Sequence, residues 1–159
     1  MTKEKQQDFA MRISQANRTE LLVVTYDILL EETESALEYY SNGDIGQYRV
    51  SLKTAQKFVA ELMSTLDYTY PISGELLRLY EYVQRLLIKS DISGKPDRLE
   101  SAENVIAGLR KAFAKVAESD DSAPLMENTQ KVFAGLTYTK GSLNETDLDP
   151  NLAGRGFLA

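Results

Sequence analysis

The feature that most constrains the fold is an apolar repeat of helical period that extends over residues 19–115 with few interruptions. This stretch is rich in Leu, Ala, Glu, Lys, Gln and Arg, which have high helix propensities. Glycine and proline gather mainly at residues 43–46, 71–74 and 94–96. Because both residues interrupt helices, the pattern predicts four consecutive helices joined by short connections.

The four predicted helices have similar lengths, of about 20 to 24 residues each. Thr19 and Asp44 are the expected N-caps of the first two, and Gly43 and Gly94 are expected to end the first and the third. Pro96 suits the first turn of the fourth. Equal helices with short connections favour an all-α fold, an antiparallel up-and-down four-helix bundle. The predicted spans are residues 19–42, 45–67, 73–93 and 96–118.

Segments on both sides of the predicted bundle differ from it in composition. Residues 1–18 form a predicted N-terminal arm, in which Phe9 and Ile13 share one face of a short amphipathic helix. Residues 119–159 form a predicted C-terminal extension, which begins with the linker sequence SDDSAP. It continues as a short helix at about residues 124–136 and ends in a segment rich in Gly, Asn and Asp that is expected to be extended or mobile.

The third predicted helix carries more apolar surface than a bundle needs. Eight of the twelve residues in LLRLYEYVQRLL, residues 76–87, are apolar or tyrosine. On a helical projection they cover an arc of roughly 220°, whereas a helix packed on one side of a core needs only somewhat more than about 100°. The first helix is similarly broad, but the second and fourth have apolar arcs of about 140°. Part of the third helix is therefore expected to be covered by something other than the bundle.

Composition excludes several classes of function. The chain has no cysteine and no histidine, which excludes disulfides, thiol or imidazole catalysis and zinc sites with Cys or His ligands. A formal net charge of −6 without a basic patch argues against nucleic-acid binding. No apolar run is long enough for a signal peptide or a membrane span, so a cytoplasmic protein without membrane insertion is expected.

Catalysis is not predicted either. No phosphate-binding glycine loop or nucleophile motif occurs, and no pair of carboxylates is distinguished from a solvated helix face. No cofactor and no metal ion are expected. A carboxylate-based enzyme is an alternative that metal analysis of the purified protein addresses.

Four segments resemble, in order, the helices of one known family. TELLVVTYDILL (residues 19–30) is similar to its first helix, and AQKFVAELMSTLD (residues 55–67) is similar to its second. LLRLYEYVQRLLIKSD (residues 76–91) resembles its third-helix Leu-Tyr-Asp-Tyr motif, and DRLESAENVIAGLRKAF (residues 97–113) resembles its fourth helix. The family is that of the flagellin-specific secretion chaperones, the FliS family.

The resemblance implies a helical bundle that binds the disordered C-terminal segment of flagellin in the cytoplasm. Such a chaperone prevents premature polymerisation and presents the subunit to components of the flagellar export apparatus. The client then covers the surplus apolar arc of the third helix. Burial of apolar surface contributes about 25 cal/mol per Å² to the binding free energy, from which the cost of ordering the client is subtracted.

These considerations give two sets of candidate site residues. Tyr80, Tyr82 and Leu86 are the strongest candidates for an exposed client groove, whereas core packing is the competing interpretation for the other members. The predicted lid or groove edge consists of Phe9 and Ile13, with Tyr26 and Asp27 linking the first helix to the arm. A solvated acid is an equally good interpretation of Asp27. The predicted flagellin-binding groove comprises Leu62, Leu66, Leu76, Leu79, Tyr80, Tyr82, Val83 and Leu86.

An alternative from a different class also fits the sequence. The surplus apolar faces of the first and third helices can instead join two copies of the chain, giving a homodimeric helical-bundle interaction module without an unfolded client. The sequence is compatible with a monomer or a weak dimer.

Overall fold

A computed structural model of the protein describes residues 1–126, and within them the regular secondary structure consists of five α-helices and no strand. The predicted all-α class is confirmed, and the four predicted helices correspond to the second to fifth helices of the chain. Most of the predicted helix at about residues 124–136, and the whole tail after it, lie outside the described residues. The helices are α1 (Lys3–Gln15), α2 (Arg18–Ser41), α3 (Ile45–Ser64), α4 (Ser73–Ser93) and α5 (Leu99–Ala117).

Helix α2 is capped by a residue other than the predicted Thr19. Asn17 is the N-cap: its side-chain oxygen accepts a hydrogen bond from Glu20 N at 2.8 Å, and the Glu20 carboxylate accepts one from Asn17 N at 2.9 Å. This reciprocal capping box satisfies two main-chain donors at once. Thr19 lacks the matching glutamate, because the residue three positions after it is Leu22.

The remaining predicted caps of α2, α3 and α4 are confirmed. Asp44 is the N-cap of α3, and its carboxylate accepts a hydrogen bond from Gln47 N at 3.0 Å. Gly43 and Gly94 have φ angles of 77° and 64°, in the left-handed region that favours glycine. Each follows the last turn of its helix, so the chain reverses there without strain.

Helices α3 and α5 are shorter than predicted. Helix α3 ends at Ser64 because Asp67 belongs to the following turn, where its main-chain oxygen accepts a hydrogen bond from Ser73 Oγ at 2.5 Å. Helix α5 begins at Leu99 rather than at Pro96, because Leu99 N donates to Pro96 O at 2.9 Å in a separate turn. Both shifts lengthen the connections without changing the number of helices.

Side chains from α2, α3, α4 and α5 share one hydrophobic core. Helices α3 and α5 each pack against both α2 and α4, and α1 packs against α2. Full burial of one large apolar side chain contributes about 1.5–3 kcal/mol, so this core accounts for most of the favourable folding free energy. The core consists of Tyr26, Leu29, Ala36, Tyr48, Leu52, Ala55, Val59, Leu62, Leu76, Tyr80, Val83, Leu86, Leu87, Leu99, Ala102 and Ile106.

Contacts between neighbouring helices indicate their relative directions. The Tyr48 hydroxyl, near the start of α3, donates a hydrogen bond to the main-chain oxygen of Ser90, near the end of α4, at 3.1 Å. Asp27, in the first half of α2, accepts a hydrogen bond from Arg110, in the second half of α5, at 2.6 Å. Each contact joins the early part of one helix to the late part of its neighbour, which is the pattern of antiparallel packing.

Candidate functional site

Helix α4 divides its broad apolar arc between the core and solvent. Of the eight apolar or tyrosine residues in segment 76–87, five are buried and Leu77 is half-buried. Leu79 and Tyr82 are exposed, with 37% and 40% of their surface accessible. Ile72, immediately before the helix, is exposed as well. Ile72, Leu79 and Tyr82 lie on one side of the helix, and we call them the α4 flank.

Two of the three strongest groove candidates, Tyr80 and Leu86, are not exposed, since only 2% and 6% of their surface is accessible. The Tyr80 hydroxyl shares a hydrogen bond of 2.5 Å with the Tyr26 hydroxyl inside the core. Burial raises the pKa of both hydroxyls, so both stay neutral. A buried tyrosine needs a partner for its hydroxyl, and Tyr26, which is distant in sequence, provides one. The prediction that these two side chains are exposed is therefore wrong.

Core packing also describes most of the remaining predicted groove residues. Leu62, Leu76 and Val83 are buried, and Leu66 is half-buried against the core. Leu79 is the one aliphatic member of the set that the chain leaves exposed. The predicted surplus of apolar surface on α4 is thus present, but it is narrower than the sequence indicated.

The α4 flank lies on the side of the helix that is turned away from α3. Asp91 of α4 lies 3.9 Å from Arg49 of α3, and on a helical projection it falls on the opposite side of the buried stripe from Leu79 and Tyr82. Because α4 packs against both α3 and α5, a helical projection places the α4 flank on the α5 side of α4.

Helix α5 presents a matching row of apolar side chains. Val105 and Leu109 are half-buried, and Val116 is exposed. These three residues are four and seven positions apart, on the opposite side of the buried stripe of α5 from Arg110, which contacts α2. On a helical projection the two rows lie on the sides of α4 and α5 that are turned toward each other, and we call the surface between them the α4–α5 groove.

The N-terminal arm is held on α2 by ion pairs. Arg12 donates a hydrogen bond to Asp27 Oδ2 at 2.5 Å, and Lys5 Nζ lies 2.7 Å from the Glu31 carboxylate. The Arg12 guanidinium also lies over the Phe9 ring, 5.6 Å from its centroid. Phe9 and Ile13 are half-buried. The attachment of the arm therefore combines these polar contacts with the partial burial of two apolar side chains.

Asp27 joins three helices through one carboxylate. Besides Arg12 of α1, it contacts Arg110 of α5, whose Nε donates to Asp27 Oδ1 at 2.6 Å. Burial alone raises the pKa of Asp27, but the hydrogen bonds from Arg110 and Arg12 outweigh burial and hold the pKa below its ordinary value. Tyr26, predicted to link α2 to the arm beside Asp27, instead faces the core, because adjacent helix positions are turned by about 100°.

An open cleft of about 510 Å³ lies beside the arm. Its walls come from α1, α2 and α5, and none of its lining residues lies on α4. In this arrangement the arm is an edge of that cleft and leaves Leu79 and Tyr82 exposed. The lining residues are Arg12, Gln15, Glu20, Val23, Val24, Ala114, Ala117 and Glu118.

The segment that follows α5 returns to the junction between α1 and α2, and we call residues 119–125 the strap. The Nδ2 group of the buried Asn17 donates to Asp120 O at 3.0 Å and, more weakly, to Ser122 O at 3.5 Å. Thr19 Oγ1 donates to Asp120 Oδ2 at 2.5 Å. Leu125 N donates to the main-chain oxygen of the buried Ala16 at 3.0 Å. The strap therefore holds the junction between α1 and α2, from which the arm extends.

The family described as "Flagellar protein FliS" matches residues 1–120. The chain belongs to the FliS family. A similar protein is the flagellar secretion chaperone FliS of Bacillus subtilis (strain 168), which is 24% identical over 108 residues, 68% of this chain and 81% of that protein. The resemblance seen in the four helical segments is confirmed. Membership supports a chaperone role in flagellar assembly rather than catalysis.

Two features of this FliS family member were missed from sequence. From sequence, the apolar row of α5 is expected to lie wholly in the core, because an arc of about 140° is compatible with complete burial. The sequence of the strap predicts only a linker. One local signal for it exists: Asp120 Oδ1 accepts a hydrogen bond from Ser122 N at 3.1 Å, an Asx turn that the spacing Asp-x-Ser favours.

Two further observations concern the described part of this FliS family member. Within residues 1–126, no helix is both long enough and apolar enough to cross a membrane. Over the same residues, no three carboxylates are grouped so that they could hold a metal ion.

Proposed function

We propose that this protein is a cytoplasmic export chaperone that binds the disordered C-terminal segment of flagellin. By covering that segment it prevents premature polymerisation, and it delivers flagellin to the flagellar type III export apparatus. Membership of the FliS family supports the proposal. The observation that carries it is the uncovered α4 flank, where Leu79 and Tyr82 remain accessible although the neighbouring apolar residues of the same helix are buried.

The chain is proposed to divide into three parts. Residues 1–18 are the arm, residues 19–118 are the chaperone domain and residues 119–159 are an extension. Within the chaperone domain, α2 to α5 are proposed to form an antiparallel four-helix bundle. The contacts that join the start of α3 to the end of α4, and the first half of α2 to the second half of α5, support this arrangement.

The client is proposed to lie along the α4–α5 groove as an amphipathic segment. Its apolar side chains then pack on Leu79, Tyr82 and Leu109. The predicted groove residues that are buried in the core lie beneath this surface and support it. Burial contributes about 25 cal/mol per Å² of apolar surface, from which the cost of ordering the client is subtracted. Folding on binding therefore gives a moderate affinity and a large negative heat-capacity change.

The arm is proposed to act as a removable edge of the cleft between α1, α2 and α5. Phe9 and Ile13 are only half-buried, and ion pairs exposed to solvent contribute only about 0–1 kcal/mol each. Arg12 can therefore leave Asp27 at low cost when a client approaches. Arg110 still neutralises the Asp27 carboxylate after the arm has moved.

Calorimetric titration with the C-terminal segment of the host's flagellin tests the function. One segment per chain and a large negative heat-capacity change are expected. No binding by the intact chain contradicts the proposal. A stable dimer that ignores the segment supports the alternative, a homodimeric interaction module.

A matched pair of variants tests the placement of the groove. Leu79→Glu is expected to abolish binding, because it puts a charge in the apolar contact without entering the core. Val50→Glu, at an exposed apolar position of α3, is the control and is expected to bind normally. If Leu79→Glu retains its helicity and its affinity, the client lies elsewhere.

A further inference from the structure

One face of α4 combines apolar and basic side chains in a regular row. Arg78, Tyr82, Arg85 and Lys89 are spaced by four, three and four residues, which places them in one line along the helix. All four are exposed, and the Arg85 guanidinium lies 6.0 Å from the centroid of the Tyr82 ring. We call this line the basic row. It runs beside Leu79, so it borders the α4–α5 groove.

The basic row has no ion-pair partner within the described residues. Every ion pair between side chains of residues 1–126 uses another basic residue, namely Lys5, Arg12, Arg18, Arg49 or Arg110. Glu75 and Glu81 lie on α4 on either side of the row. Neither carboxylate has an oxygen within 4.0 Å of a side-chain nitrogen of the basic row. The row is therefore available for a carboxylate from another molecule.

We infer that the α4–α5 groove selects an acidic amphipathic segment, one whose Asp or Glu side chains flank its apolar anchors. The inference rests on the proposed chaperone function and adds the charge of the client to it. The apolar anchors pack on Leu79 and Tyr82, and the carboxylates pair with Arg85 and Lys89. Charge complementarity of this kind sets the orientation of the partner and discourages segments of the wrong charge.

The net charge of the chain makes this inference testable. A chain with a net charge of −6 repels acidic peptides and attracts basic ones, unless a local site reverses the preference. The probes are two leucine-based amphipathic peptides with the same apolar positions, one with glutamate and one with lysine at the polar positions. The intact chain is expected to bind the glutamate peptide about tenfold more tightly at low ionic strength, and less so as salt is added.

A matched pair of charge reversals locates the effect. Arg85→Glu/Lys89→Glu is expected to abolish or reverse the preference for the glutamate peptide. Lys53→Glu/Lys57→Glu changes the net charge by the same amount, at two exposed positions of α3 with the same spacing. This variant is expected to keep the preference for the glutamate peptide. If circular dichroism shows that the first variant is unfolded, Arg85→Gln/Lys89→Gln replaces it and is expected to remove the preference.

The flagellin segment separates this inference from the function on which it rests. If the segment binds and its affinity is the same in the Arg85→Glu/Lys89→Glu variant, the function stands and the charge selection is overturned. If the segment does not bind, but the glutamate peptide binds with the expected charge dependence, the selection stands and flagellin is not the client. Equal affinity for both peptides overturns the inference. A dimer of the chain that dissociates only in the Arg85→Glu/Lys89→Glu variant also overturns it.

Discussion

The Asp27 carboxylate lies 2.5 Å from the guanidinium of Arg12, and this contact joins the arm to α2. The same carboxylate accepts a second hydrogen bond from Arg110 of α5, so one side chain fixes the positions of three helices. Hydrogen bonds to charged groups are stronger than neutral ones, although both arginines are partly exposed and therefore screened.

Replacing Asp27 by Asn is expected to loosen the arm. Both charge-assisted hydrogen bonds are weakened at once, and we expect the free energy of unfolding to fall by about 1–2 kcal/mol. Amide hydrogen exchange in residues 3–15 is expected to become faster, while exchange in α3 is unchanged. Asp91→Asn is the control, because it weakens only a contact between α3 and α4. Equal exchange in Asp27→Asn and in the intact chain contradicts the assigned role.

The stability of the protein is expected to depend on pH through the same carboxylate. The pKa of Asp27 is lower in the folded chain than its ordinary value of 3.8, so the ionised form favours folding. This contribution is fully present above about pH 4 and is lost as the pH falls through the lower folded pKa. Urea unfolding at several pH values measures it.

The buried Glu32 and the half-buried Glu103 act in the opposite direction. Burial raises the pKa of Glu32 and of Glu103, so their ionisation opposes folding and their protonation favours it as the pH falls. The informative quantity is therefore the difference in unfolding free energy between the intact chain and Asp27→Asn. We expect that difference to shrink below about pH 4. A difference that stays constant with pH shows that the Asp27 charge is not involved.

The hydroxyl pair of Tyr26 and Tyr80 predicts non-additive effects. Tyr80→Phe leaves the buried Tyr26 hydroxyl without a partner, which costs about 1–3 kcal/mol. Tyr26→Phe/Tyr80→Phe removes both hydroxyls and is expected to be closer in stability to the intact chain than either single variant. Urea unfolding of all four proteins gives the coupling free energy. Because Tyr80 is buried, Tyr80→Phe is also expected to keep its affinity for the flagellin segment.

Tyr80 and Tyr82 show how far the sequence predicts the site. The apolar period of α4 was enough to predict the helix and an excess of apolar surface on it. It did not distinguish Tyr80 from Tyr82, because the buried member is selected by Tyr26, which lies on another helix. The choice between Thr19 and Asn17 as N-cap is different, since the capping box Asn-x-x-Glu can be recognised from local spacing alone.

The strap escapes prediction because its contacts join residues that are far apart in sequence. Asn17 and Thr19 contact Asp120 across the domain, and no period or propensity relates these positions. The helices that the strap contacts, α1 and α2, can still be predicted from their local sequence. Periodicity does not predict which segment provides the hydrogen-bond partner of a buried polar side chain, because that depends on how the helices pack together.

The strap is expected to restrain the arm, and Asn17→Asp tests this expectation. Aspartate keeps the side-chain oxygen that caps α2 but removes the Nδ2 donor to Asp120 O and Ser122 O. Hydrogen exchange is therefore expected to become several-fold faster in residues 3–15 and in residues 119–125, while α2 keeps its protection. Thr19→Val removes the other side-chain contact to Asp120 and is expected to act in the same direction. Ser41→Ala is the control, because the Ser41 hydroxyl bonds only within its own helix. If Asn17→Asp and Thr19→Val both leave exchange in residues 3–15 unchanged, the arm is held by its contacts with α2 alone.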